Sequence, residues 1–222
     1  MLALFFEVQP RPDGYQRYLD MAAVLKPQLE QVDGFLSIDR YRSLAREGWV
    51  LSHSIWRDEA ALTAWRVQAN HHHAQEAGRN AIFLDYRLRI AEVLREEQPG
   101  KPAWQPQRPS AYNDPAHRAP RHMLVAESTS GKFDALPGVA PEAWASLNRP
   151  GEFVHVASVP DLPTALELTG NCRIGAPAYR YRICEVERDY GMYDRAEAPQ
   201  YYPEVASPGN RPGNHPGNHP GN

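Results

Sequence analysis

Cysteine is nearly absent. Cys172 and Cys184 are the whole complement of a 222-residue chain, too few to staple a domain of this length, although a bridge between them stays open. An excess of one charge is also missing: 24 Lys and Arg stand against 27 Asp and Glu, a formal net charge of −3. That balance gives no electrostatic reason to expect nucleic acid or an anionic membrane as partner. No apolar run approaches the roughly 20 residues of a spanning helix. The opening MLALFFEVQP lacks a basic stretch ahead of its short apolar core, so it reads as a strand rather than a signal peptide, and a cytoplasmic location is the expectation. A glycine-rich phosphate loop, a nucleophile elbow and paired metal carboxylates are missing too.

What remains is an ordinary globular composition, 42% hydrophobic and 23% charged, long enough for one large domain or two small ones. Proline, 21 residues in all, falls mostly after residue 98, which points to a compact first part and a looser second.

Periodicity supplies the first part's elements. Residues 2 to 8 are short, apolar and aromatic, and the turn RPDG ends them. Tyr15, Tyr18, Ala22, Leu25, Leu29 and Val32 recur at three and four, a helix with one buried face, and Gly34 follows where a chain leaving a helix wants positive φ. FLSIDRYRSL and WVLSHSIW alternate around AREG, a hairpin. Asp58 is placed to cap a second helix that runs, with a break near Asn70, to Gly78. Leu84, Tyr86, Leu88 and Ile90 then share one strand face, opposite Asp85, Arg87 and Arg89. The order β-α-β-β-α-β predicts an α+β, ferredoxin-like (split βαβ) antiparallel sheet with both helices on one face. The bare face, rich in aromatics, needs a second sheet, and a hollow between the two sheets is the expected cavity.

The chain offers that second sheet itself. YRLRIAEVLRE at 86–96 is echoed by YRYRICEVERD, ending at Asp189, with Tyr, Arg, Arg, Ile, Glu, Val and Arg matching in register. HSIWRDEAALTAW and HVASVPDLPTALEL share the outline of strand, aspartate cap and short helix, and HMLVAEST can replace the first strand. The reading is a tandem degenerate repeat forming an α+β barrel within the chain or by dimerisation. Its units are 1–96, a proline-stiffened linker at 97–121, an eroded copy at 122–194 in which PEAWASLN is a short helix, and a disordered tail at 195–222 built on Pro-Gly-Asn. Homodimer and intramolecular pseudo-dimer are both open.

Residues 65–79, WRVQANHHHAQEAGR, hold three consecutive histidines. Successive helix residues point about 100° apart, so His71, His72 and His73 cannot converge on one metal. Only His72 and Glu76 have the spacing of a helical ligand pair, and no metal is expected. The informative set is the one sharing a face with His71, namely Gln75 and then Gly78 or Arg79, with Trp56 and Trp65 nearby.

Here the sequence resembles the antibiotic biosynthesis monooxygenase family. The residues carrying the likeness are SIWRDEAALTAW, then His71, Ala74, Gln75, Gly78 and Arg79, then YRLRIAEV, with YRYRICEVERDYGMYD similar to the family's terminal strand. The likeness spans residues 1–96 closely and 122–194 loosely. It implies a ferredoxin-like half-barrel that pairs through its sheet, and oxidation of small aromatic molecules by O2 without metal or flavin. Members that cleave haem use a first-strand asparagine, a tryptophan and a histidine. Trp65 fits that tryptophan, but the first strand offers Glu7 and the histidine comes earlier, so no cofactor is expected.

On this reading His71 is the general base, and Trp56, Trp65, Gln75, Arg79 and Tyr86 line the substrate site. Each has a structural alternative. Both tryptophans serve as core aromatics, Arg79 pairs with a carboxylate or caps its helix, and His71 donates a hydrogen bond to a nearby loop. Tyr86 and Tyr181, read as equivalent places in the repeat, mark pseudo-symmetry. A non-catalytic ligand-binding or stress-related barrel is the alternative function, and haem or isomerase chemistry on the same fold is a third.

Overall fold

Strand alternation and helix spacing resolve into thirteen elements in the computed structural model, which describes residues 1–106, 121–132, 139–175 and 178–198. The first half runs β1 (Leu2–Pro10), α1 (Gly14–Leu29), β2 (Phe35–Ser43), β3 (Val50–Trp56), α2 (Glu59–Val67), α3 (Ala69–Ala77), a π-helical turn (Gly78–Ile82) and β4 (Phe83–Glu97). The second runs β5 (His122–Ser128), β6 (Glu142–Ser146), β7 (Phe153–Val159), α4 (Leu162–Gly175) and β8 (Ala178–Gly191). Most of the tail and residues 107–120 of the linker lie outside the described residues.

The eight strands close a barrel in the order β1-β3-β2-β6-β7-β5-β8-β4, every described pair antiparallel. Read as halves, β4-β1-β3-β2 and β8-β5-β7-β6 have one order, so the barrel is a tandem of two split βαβ sheets. They are sewn together where β2 meets β6 and β4 meets β8. A closed sheet leaves no edge strand to be capped.

Register refines the repeat. Leu4 faces Ile90 as Leu124 faces Ile183, so Glu7 and Arg89 answer to Glu127 and Arg182. Both pairs are buried ion pairs: Arg89 with Glu7, and Arg182 with Glu127 at 2.5 Å. The same register sets Tyr86 over Tyr179, whereas Tyr181 takes the place of Leu88. The Tyr86–Tyr181 equivalence is thereby corrected. Tyr181 packs with Leu124, Ala157 and Leu168 beneath α4.

Two further expectations change. PEAWASLN is not a helix; Glu142–Ser146 is β6, pairing with β7 and, through Trp144 opposite Ser43, with β2. Barrel closure outweighs the mild helix propensity of Ala and Glu there. The element missing from the second copy is a counterpart of α1: among the described residues between β5 and β6 there is no helix.

The second correction concerns the hollow. The first sheet is indeed shielded by a sheet of like design, but the space between them is packed. Phe5, Tyr41, Leu51, Met123, Val125 and Trp144 meet there, none more than 2% exposed. Cys184 joins that core as a free buried thiol; the side chain of Cys172 is not described. The open space lies on the opposite face of the first sheet, under its helices.

Local signals hold. Asp58 Oδ1 accepts from the Ala61 N–H at 2.9 Å and caps α2. Gly34 has φ +88°. The break in the second helix falls at Gln68, where ψ swings to 130° and the side chain caps α3 by accepting from the His71 N–H at 2.7 Å.

Candidate active site

Even-numbered positions of β1 and β4 and their neighbours on β3 face the helices. Leu4, Phe6, Ser52, Ser54, Leu88 and Ile90 make the floor of a cavity of about 210 Å³. α1 and α2 form its roof with Tyr18, Leu25, Leu29 and Leu62, and α3 and the π-turn close one side. The volume lies below the roughly 300–1,000 Å³ of drug-sized pockets, the scale of a small molecule. Glu7, the first-strand residue weighed against a haem-cleaving asparagine, points the other way into the barrel, where Arg89 and Arg46 hold it.

All six residues singled out from sequence line this one space: Trp56, Trp65, His71, Gln75, Arg79 and Tyr86. The structure therefore brings the set together, on the helix side of the sheet and not between the sheets. Both tryptophans also carry the structural role open to them. Trp56, 1% exposed, packs edge-on to Phe35 and donates from Nε1 to Ser54 Oγ at 2.9 Å. Trp65 is buried and its ring stacks on His71, centroids 4.2 Å apart.

His71 is fixed by its surroundings. Nδ1 lies 2.9 Å from the Trp65 carbonyl oxygen. A carbonyl only accepts, so Nδ1 carries the proton and Nε2 holds the lone pair. The Gln75 amide nitrogen, which only donates, lies 3.0 Å from Nδ1 and 3.5 Å from Nε2; with Nδ1 protonated it donates to the Nε2 lone pair, and it reaches the Arg66 carbonyl at 3.4 Å. Burial pushes the imidazole's pKa down to about 4, against the opposing pull of the Trp65 carbonyl, so the ring is neutral at pH 7. Its neighbours are set apart from it: His72 approaches Glu76 at 3.5 Å and His73 is exposed.

Arg79 is buried in the π-turn, a helix irregularity common at functional sites. The turn abuts Phe83 closely: a Cβ on Gly78 would come within 2.5 Å of the Phe83 ring, so only glycine allows this approach. Tyr86 accepts at its hydroxyl from Arg195 Nη1 at 2.8 Å.

Sequence reasoning missed several wall residues, Arg40, Tyr190 and Arg195 among them. Arg40 on β2 sits beside Ser52 in register and lines the cavity. The alternation of Ile38 and Arg40 with Ser52, Ser54 and Trp56 was a usable signal. Tyr190 and Arg195 come from the end of β8 and the segment after it, so the second half supplies part of the first half's wall. No local pattern foretells that. The charges on this wall are one-sided: Lys26, Arg40, Arg66, Arg79 and Arg195 line it, and no described Asp or Glu does.

A family model for antibiotic biosynthesis monooxygenases matches residues 1–77. A protein of Pyricularia oryzae named jasmonate monooxygenase ABM is 35% identical over 227 aligned residues, covering 93% of this chain and 100% of that one. Among solved structures, an antibiotic biosynthesis monooxygenase is 18% identical with a TM-score of 0.38, over 42% of this chain and 98% of its own. A protein from Fusobacterium nucleatum is 7% identical with a TM-score of 0.41, over 85% of this chain and 93% of its own.

Proposed function

From a chain that belongs to the antibiotic biosynthesis monooxygenase family, we propose an oxygenase that works without metal, flavin or haem on a small apolar molecule bearing an ionisable group. The substrate is a phenol or related aromatic, or a ring ketone carrying a carboxylate. Jasmonate, for which the fungal relative is named, is of the second kind. One observation carries the reading: a neutral imidazole with its lone pair on Nε2 stands at an apolar cavity whose charged wall residues are all cationic.

The chemistry follows from those groups. His71 Nε2 takes the proton of an acidic C–H or O–H, and the cationic wall stabilises the substrate anion in a medium where that attraction is strong. The anion gives its electrons to O2. An acidic CH2 and O2 become C=O and H2O; a phenol and O2 become a quinone and H2O. In both cases the substrate supplies all four electrons, and the protein's work is deprotonation, positioning and exclusion of water. His71 begins as a weak base because burial disfavours its cation, and the anion formed beside it offsets that penalty.

Oxygen uptake with jasmonate, naphthylacetate and naphthol tests this. The expected result is one O2 per substrate consumed without added reductant, for at least one of the three, and turnover in His71→Ala lower by about a hundredfold. Unchanged turnover in that variant removes the role of His71. Uptake only with a nicotinamide donor removes the cofactor-free chemistry, and tight binding without uptake favours a ligand-binding barrel.

A further inference from the structure

The geometry points to Arg40 as the residue that receives an ionised carboxylate of the ligand, an assignment that rests on the reading of the cavity above. Arg40 belongs to a row of five residues, one from each of five neighbouring strands: Arg40, Ser52, Phe6, Leu88 and Tyr190. Every member of the row lines the cavity. At its β2 end, the Arg40 Nε is buried with no hydrogen-bond partner, and the guanidinium enters no ion pair among the described residues. A half-buried cation whose Nε is shut off from solvent and which has no ion-pair partner is poorly compensated within the protein. An ionised carboxylate is the ligand group that offsets this best, because its two oxygens match the guanidinium's planar fork. Ser52, buried beside Arg40, adds a hydroxyl donor at the same end.

Three of the other four wall cations have partners within the fold. Lys26 faces Glu30 at 3.7 Å. Arg195 donates to the Tyr86 hydroxyl at 2.8 Å and to the Gly191 carbonyl at 3.2 Å. Arg66 sits in the last turn of α2, where the helix dipole favours a cation. Arg79 interacts within the fold. The second half provides an internal contrast. Arg40 pairs with Ser52 as Ala143 pairs with His155, so alanine holds the corresponding place where Tyr181 and α4 pack over the sheet.

The test compares each carboxylate used above, jasmonate and naphthylacetate, with its methyl ester. Binding is followed by quenching of Trp56 and Trp65 fluorescence at pH 7 without oxygen, in wild type, Arg40→Gln and Arg40→Lys. Wild type is expected to bind at least one acid about tenfold or more tighter than its ester. Arg40→Gln brings that ratio to about one while keeping ester affinity. If Arg40→Gln binds neither form, Arg40→Lys decides, with a ratio lowered about threefold or more at unchanged ester affinity supporting the assignment. No acid binding, equal binding of acid and ester by wild type, or a ratio that survives substitution overturns it. Turnover does not enter this readout. Selective binding without oxygen uptake keeps Arg40 and removes the oxygenase reading, and uptake without acid selectivity does the reverse.

Discussion

His71 and His53 both lie where burial pushes the imidazole pKa down to about 4. They do different work. His71 borders the cavity, whereas His53 stacks on Phe5 inside the barrel and donates from Nδ1 to the Leu4 carbonyl 3.1 Å away. Two pH effects follow. The form of His71 that takes a proton is the neutral one, so kcat/KM should hold level down through pH 6 and fall only near pH 4, well below an ordinary histidine limb at about 6.5. Stability moves the same way. The unfolded chain binds protons that the folded one excludes, so the stabilisation is complete above about pH 6.5 and drains away as pH falls towards 4, by about 3 kcal/mol for His53 alone. A melting temperature that is flat across that window, or an activity limb near 6.5, contradicts this account of the two rings.

At the scale of elements, α2 and α3 turn their cavity-lining side to the sheet, and their N-termini are set by side chains. Asp58 caps α2, which carries Leu62, Trp65 and Arg66 to the cavity. Asp58→Ala should cost about 1 kcal/mol and lower the melting temperature by a few degrees; no change on calorimetry would mean that tertiary packing alone holds the helix start. Much of this was legible in the sequence. The i, i+4 relation of His71 and Gln75, the aspartate cap and the alternation of Tyr86, Leu88 and Ile90 each correctly fixed which residues share a face. Alternation does not say which face looks at helices and which at a second sheet, because both carry aromatics: Phe6, Trp56 and Tyr86 on one, Phe5, Tyr41 and Trp144 on the other. That ambiguity displaced the predicted cavity. β6 was hidden for another reason, since five residues reading Glu-Ala-Trp-Ala-Ser have no strand signature until β2 and β7 flank them.

For the whole molecule, duplication closes the barrel inside one chain and leaves a cavity under the helices of the first half. The second half has lost any described counterpart of α1 and packs its own helix face with Tyr181, Leu124 and α4. It still contributes to the site, because β8 lies against β4 and delivers Tyr190 and Arg195 to the shared wall. These long-range contacts have no trace in local sequence, which is why Tyr190 and Arg195 emerge only from the assembled barrel. No described helix is long and apolar enough to cross a membrane. The central claim is that ligand enters the space roofed by α1, α2 and α3, with the barrel interior left as packed core. A crystal structure of the protein saturated with jasmonate or naphthylacetate tests it most directly. The account predicts ligand density over Leu4, Phe6 and Leu88, within reach of His71. Density inside the barrel among Phe5, Tyr41 and Trp144, on the outer face of the second half, or nowhere in the protein would contradict it.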